Sequence, residues 1–209
     1  MVNLPATPRG PYRTGLRRRE QIIEAATGIF ARRGYTGATL REIADGAGVS
    51  TAGLLRHFGS KEELLAAVLN RWGCDSEALM DGAILGLEWF LQYPDLIEYH
   101  QQHPGLVELY LTLCGEASDP DHLARAWLTA HYERAIAIAT RQLRIARDAG
   151  TVTDMPDLQV EREVRALYAL IDGLELQWIS NPGLDLAGIF TSLLESILTR
   201  WRVPATLSN

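Results

Sequence analysis

The sequence predicts an all-α protein in which a short cationic three-helix unit precedes a larger acidic helical body. Three observations carry that expectation. Apolar residues recur three and four apart in segment after segment, and after residue 70 nothing alternates with the period of a strand. Two helix-opening signatures, "TLRE" at 39–42 and "SKEE" at 60–63, each stand just before an apolar-periodic stretch. Charge is also divided unevenly. Residues 1–61 hold ten Arg/Lys against four Asp/Glu, and the remainder holds ten against twenty-two, within a net charge of -6.

Composition is that of an ordinary soluble globular chain, with 47% hydrophobic and 22% charged residues. No apolar run approaches the ~18–20 residues of a membrane span, and "MVNLPATPRGPYRTG" lacks the apolar core of a signal peptide. A cytoplasmic protein with no membrane partner is therefore expected. Cys74 and Cys114 stand far apart without CxxC spacing, which reads as two reduced thiols rather than a disulfide or metal site.

The first helix is expected from about Leu16 to Arg33, with Ile22, Ala26, Ile29 and Phe30 on one apolar face and Gly34 ending it. Thr39 caps a second helix, with Glu42 completing the box and Leu40, Ile43, Ala44 and Ala47 on its buried side. Gly48 permits a tight turn, Ser50 caps a third helix through about Phe58, and Ser60 opens a fourth. The second and third helices, joined by "AGVS", form a helix-turn-helix arrangement. Placed at helical steps, Leu54 and Phe58 lie inward. Ala52, Gly53 and Arg56 point away, with Leu55 and His57 on the flanks.

A small-residue edge with one long cation suits close approach to another surface. A DNA major groove, ~12 Å wide, accepts such a helix, and Arg can read guanine bidentately. Thr39 and Ser50 can offer hydroxyls and helix N-terminal N–H groups to phosphates. The plainer reading of Arg56 is a solvated surface arginine, and His57 suits a phosphate as well as a base. Upstream, Arg9, Arg13, Arg17, Arg18 and Arg19 read either as a solvated tail or as an arm along the duplex. Pro5, Pro8 and Pro11 are expected to keep its start extended.

The stretch "IIEAATGIFARRGYTGATLREIADGAGVSTAGLLRHFGSKEELLAAVL" resembles the N-terminal domain of the tetracycline-repressor (TetR) family of transcriptional regulators. By that resemblance Thr39, Ser50, Thr51, Gly53, Leu55, Arg56, His57 and Lys61 match positions that commonly touch DNA, and Arg17 joins them from the helix that crosses the backbone. Leu55 departs from the pattern, since the family often has Tyr there, whose hydroxyl binds phosphate. The resemblance implies a helix-turn-helix DNA-binding domain plus a larger helical ligand-binding and dimerisation domain. The organisation expected is a flexible basic arm at 1–15, the DNA-binding domain at 16–59, and the effector-binding and dimerisation domain at 60–209.

In the body, helical segments are expected at 72–92, 95–101, 104–116, 120–150, 160–180 and 185–202, punctuated by prolines. Val160, Val164, Leu167, Ile171, Leu174 and Trp178 form a stripe, and Leu186, Ile189, Phe190, Leu193, Leu194, Ile197, Leu198 and Trp201 a broader one. Such stripes are ordinarily intramolecular core. The resemblance assigns the last two helices to a homodimeric four-helix bundle, which nominates Leu167, Ile171, Leu174, Trp178, Phe190, Leu193, Leu194 and Ile197 for dimerisation. Leu170, Leu176 and Ile179 sit off the first stripe and leave one face to cover.

Between these regions lie many aromatic residues with interspersed ionisable groups, the makeup of a small-molecule pocket, although core packing explains most of them. Trp89, Tyr110, Glu116, Trp127, His131 and Asp172 are the candidate effector-binding residues. His100 and His103 share a helical spacing but lack a carboxylate or cysteine ligand at suitable distance, so neither a metal nor a cofactor is expected. No HExxH, GxSxG, Walker loop, GxGxxG or CxxC supports catalysis.

The function expected is a ligand-responsive repressor, released from a near-palindromic double-stranded DNA operator by an unknown small-molecule effector. The helix at 60–72 would act as the lever. An effector-independent DNA-binding or protein-interaction module, or an all-helical enzyme, are the alternatives at this stage.

Overall fold

The computed structural model describes residues 11–118, 122 and 124–203. It is all-helical among these residues, apart from one isolated antiparallel bridge between Val152 and Arg202. No helix among them is long and apolar enough to cross a membrane. Contacts divide the chain into two compact units, Met1–Arg71 and Trp72–Asn209.

In the first unit, α1 spans Pro11–Gly37 and breaks at Gly34, whose φ of 66° is open to glycine at little cost. The helix begins earlier than the expected Leu16. Pro11 occupies the first helical position, where its missing N–H removes no intrahelical bond, so this proline starts the helix rather than keeping the chain extended. The rest of the expected arm, residues 1–10, lies outside the described residues.

Helix α2, Leu40–Gly46, carries the anticipated capping box. The Glu42 N–H donates to Thr39 Oγ1 at 3.2 Å, and the Thr39 N–H donates to Glu42 Oε2 at 3.1 Å. Helix α3, Thr51–Phe58, is capped by Ser50, which accepts from the Gly53 N–H at 3.0 Å. Helix α4, Lys61–Glu77, follows, with Ser60 Oγ accepting from the Glu63 N–H at 3.1 Å. Ile22, Ala26, Phe30, Ile43, Leu54, Phe58, Leu64, Leu65 and Val68 are buried together as the core of this unit.

In the second unit the expected helix at 72–92 does not form. Helix α4 stops at Glu77, residues 78–85 are irregular, and Gly86–Gln92 is a 3-10 segment. Side chains serve the backbone here. Asp81 Oδ1 accepts from the Ala83 N–H at 2.8 Å, and Gln92 Oε1 accepts from the Asp81 N–H at 2.6 Å. Gly86 adopts φ 70° and donates its N–H to buried Gln142 Oε1 at 3.0 Å. A Cβ at Gly86 would stand 3.6 Å from the Ala146 backbone, so the segment rests closely on the helix that carries Gln142.

The remaining helices are α5 (Tyr93–Gln102), α6 (Pro104–Glu116), α7 (Arg125–Asp148), α8 (Asp157–Ser180) and α9 (Leu186–Trp201). The first part of the segment expected at 120–150 is not helical where it is described, and α7 begins at Arg125. Helix α7 packs on the 3-10 segment and on α8, α6 on α8, and α5 and α8 on α9. Phe90, Tyr93, Phe190 and Trp201 fill the centre, the Phe90 and Trp201 rings meeting edge-on at 5.2 Å between centroids.

Gly86→Ala should lower stability by about 1 kcal/mol, because an L side chain at that φ is strained. Gly115→Ala, in open space within α6, should leave stability unchanged or raise it by up to ~1 kcal/mol. Urea denaturation of the two variants checks the pair; equal midpoints would contradict it.

Candidate nucleic-acid interface and small-molecule cavity

The two edges of α3 differ sharply. Leu54 and Phe58 are fully buried, and the Arg19 guanidinium lies 4.7 Å from the centre of the Phe58 ring. Ala52, Leu55 and Arg56 are exposed, with Thr51 and His57 half-buried beside them. Gly53 is buried, contrary to the outward placement expected from helical steps. The cap is the reason: Ser50 Oγ folds over this position, and a Cβ there would approach it to 3.1 Å. Gly53 therefore serves the helix start.

Around α3, Thr39, Ser50 and Arg17 are exposed, and Lys61 Nζ lies 4.4 Å from the centre of the Tyr35 ring. Tyr35 donates to Glu62 at 2.7 Å, and Arg33 pairs with Glu42 at 3.3 Å. These contacts hold the C-terminal end of α1 against α2 and the start of α4.

In the second unit, α4, α5, α6, α7, α8 and the 3-10 segment enclose a cavity of about 360 Å³. Five of the six nominated effector residues line it: Trp89, Tyr110, Trp127, His131 and Asp172. Glu116 does not. It is exposed at the end of α6 and stands 3.3 Å from His122. Trp72, Ser76, Glu77, His100, Arg141, Tyr168 and Glu175 also line the cavity.

The walls are aromatic. Trp127 stacks on His131 at 4.9 Å, and Trp72 meets Tyr110 edge-on at 5.5 Å. Among these rings the acidic groups are bound in different ways. Glu175, almost wholly buried, accepts from His100 Nδ1 at 2.5 Å, and Glu77 pairs with Arg134 at 2.8 Å. Asp172 accepts one hydrogen bond, from the Tyr132 hydroxyl at 2.6 Å. Burial, with the Glu175 carboxylate adding, pushes the Asp172 carboxyl up to about 6, against the opposing pull of Tyr132 and His100. Burial also lowers the His131 pKa, helped by the charge of Arg134. His131 Nδ1 and Trp72 Nε1 have no hydrogen-bond partner among the described residues.

Residues 22–68 match the family described as bacterial regulatory proteins, tetR family. This N-terminal segment is a tetR-family domain. The transcriptional repressor KstR2 of Mycobacterium tuberculosis is 35% identical over 82 residues, 39% of this chain and 34% of that protein. The transcriptional activator FasR of Mycolicibacterium smegmatis is 49% identical over 69 residues, 31% of this chain and 32% of that one. The matched segment thus spans about a third of the length of these curated relatives. The solved structure of FadR from Bacillus subtilis, in complex with stearoyl-CoA, superposes with a TM-score of 0.74 at 20% identity. It covers 87% of this chain and 98% of that one, a likeness of fold along most of both chains.

The residues nominated for dimerisation are mostly turned inward. Leu167, Ile171, Leu174, Trp178, Phe190 and Leu194 are buried within the single chain. Apolar periodicity marks what a helix buries first, and here that is its own unit. The outward face of α8 and α9 instead presents Leu176, 56% exposed, and Leu193, 38% exposed, with Leu170, Gly173, Ile189 and Ile197 half-buried beside them.

The buried His100–Glu175 pair was not singled out from the sequence, because its partners are 75 residues apart. A signal did exist: Glu175 falls on the apolar stripe between Leu174 and Trp178, where an unpaired carboxylate would be costly. His103 instead bonds the Tyr99 carbonyl at 2.8 Å.

A carboxyl whose pKa is raised on folding opposes folding once it ionises. For Asp172 the penalty is absent near pH 4, grows towards pH 6 and is full above it. Asp172→Asn, which keeps an acceptor for Tyr132, should therefore gain about 1–2 kcal/mol of stability at pH 7.5 and nothing at pH 4. Urea melts at the two pH values measure this, and a gain independent of pH would contradict it.

Proposed function

We propose that this chain is a ligand-responsive transcriptional repressor that binds a near-palindromic operator as a homodimer and leaves it when a small molecule fills the cavity. The observation that carries the reading is the division of α3 into a buried edge, Leu54 and Phe58, and an exposed edge, Ala52, Leu55 and Arg56. The first fixes the helix on its scaffold. The second fits the major groove, with Arg56 reading a base pair and with Thr39, Ser50, Thr51, His57, Lys61 and Arg17 holding the phosphates. Leu55 offers the duplex an apolar contact instead of a hydroxyl. Gly53 contributes through the cap.

Helix α4 supports the coupling. Its first turns bury Leu64, Leu65 and Val68, and its last turns place Trp72, Gly73, Ser76 and Glu77 on the cavity wall. A ligand that favours one direction of those last turns biases the helix as a whole. A coupling of ~1–3 kcal/mol changes operator affinity by ~5–150-fold, and the duplex must weaken the ligand by the same factor. Dimerisation through the outward face of α8 and α9 supplies the second reading helix, ~34–36 Å from the first, so that two successive major grooves are occupied. A catalytic role has no support from any residue constellation described above.

Selection of bound duplexes from a random library tests the reading. The expected result is a near-palindrome with half-sites one helical turn apart, and recovery of no preferred sequence at low salt would overturn it. Arg56→Ala should relax the preference at one base pair of each half-site by ~1–3 kcal/mol. Weakening by the same factor on every duplex would reduce Arg56 to a phosphate contact. Leu176→Asp combined with Leu193→Asp should yield a helical monomer that no longer retains the selected duplex; sedimentation and circular dichroism check this, and an intact dimer would contradict it.

A further inference from the structure

Resting on that functional reading, we infer that the cavity takes an organic monocation, an ammonium group carried on an apolar or aromatic body, with its charge held at Asp172. Of the three carboxylates on the cavity wall, Glu175 is matched by His100 at 2.5 Å and Glu77 by Arg134 at 2.8 Å. Asp172 is matched by no cation among the described residues. Its Oδ2 takes the Tyr132 hydroxyl at 2.6 Å, and the residue lines the cavity. A half-buried carboxylate in this setting lacks one positive charge.

The surroundings suit an organic cation better than a hydrated one. Tyr132, which holds Asp172, contacts Tyr110 at 6.5 Å and His131 at 5.9 Å between ring centroids, and His131 lies flat on Trp127. Trp72 closes on Tyr110 from α4. Faces of Trp and Tyr attract a desolvated ammonium group through their quadrupoles, an attraction that strengthens as water is excluded.

An anionic head is disfavoured at this end. The one lining residue that could receive it is Arg141, nine residues beyond Tyr132 on α7 and so ~13 Å further along the helix. Arg141 is exposed, and Asp172 forms no ion pair with it among the described residues. The cavity wall thus carries three carboxylates against one arginine, and the rings around Asp172 set the class of ligand.

The test is quenching of the tryptophan fluorescence of the full chain at pH 7.5, confirmed by calorimetry, with three probes of similar size: benzyltrimethylammonium, benzyl alcohol and phenylacetate. The cation should bind at least about tenfold more tightly than the other two. Asp172→Asn should remove that preference, and Trp127→Leu should weaken the cation more than the alcohol. The inference is overturned if phenylacetate or benzyl alcohol binds as tightly as the cation, or if Asp172→Asn leaves the preference intact. Binding to the selected duplex is scored separately. A chain that holds the duplex but prefers phenylacetate sinks this inference alone. A chain that prefers the cation but ignores every duplex sinks the regulator reading alone.

Discussion

Helix α4 is the constraint on which the account depends. It spans 17 residues and has two environments along its length. Leu64, Leu65, Val68 and Leu69 are buried in the core of the first unit. Trp72, Ser76 and Glu77 are committed to the cavity. No glycine or proline interrupts the helix between the two sets; its only glycine, Gly73, already stands on the cavity wall. In the proposed mechanism the same few turns thus report the state of the cavity to the unit that carries Arg56.

The first unit was legible in the sequence because its determinants are local. A capping box needs residues three apart, and the stripe Ile22, Ala26, Ile29 and Phe30 needs one helix. Gly53 was misplaced because helical steps count side chains and ignore the cap hydroxyl that covers the position. The body was harder. The irregular stretch after Glu77 is set by Gly86 resting on Ala146 and bonding Gln142, partners 56 or more residues away, and no pattern within 72–92 announces them. Most nominated pocket residues do meet in the cavity because aromatic and ionisable groups on inward faces have few other places to go. Glu116 does not, since it sits on an outward turn.

The last two helices illustrate the same limit. A strong apolar stripe tells that a face is buried but not by what, and here the strongest residues pack against α8, α9 and their neighbours in the same chain. The face left uncovered in the single chain is the weaker pattern, with Leu176 and Leu193 beside half-buried Gly173. Small residues at such positions allow helices to approach closely. The electrostatics of the cavity add a further cost that sequence alone hides. Three carboxylates and two histidines stand on one aromatic wall, and holding them there lowers stability unless partners or a ligand compensate. Function, in this view, is what that cost is retained for.

The most direct measurement is amide hydrogen exchange along α4 and α8, with and without the duplex recovered by selection. Because coupling between two sites is reciprocal, duplex binding must be felt at the cavity wall. Altered protection is expected at residues 72–77 and around Asp172 as well as in α3. Changes confined to residues 11–61, with the cavity-lining turns of α4 unaffected, would contradict it.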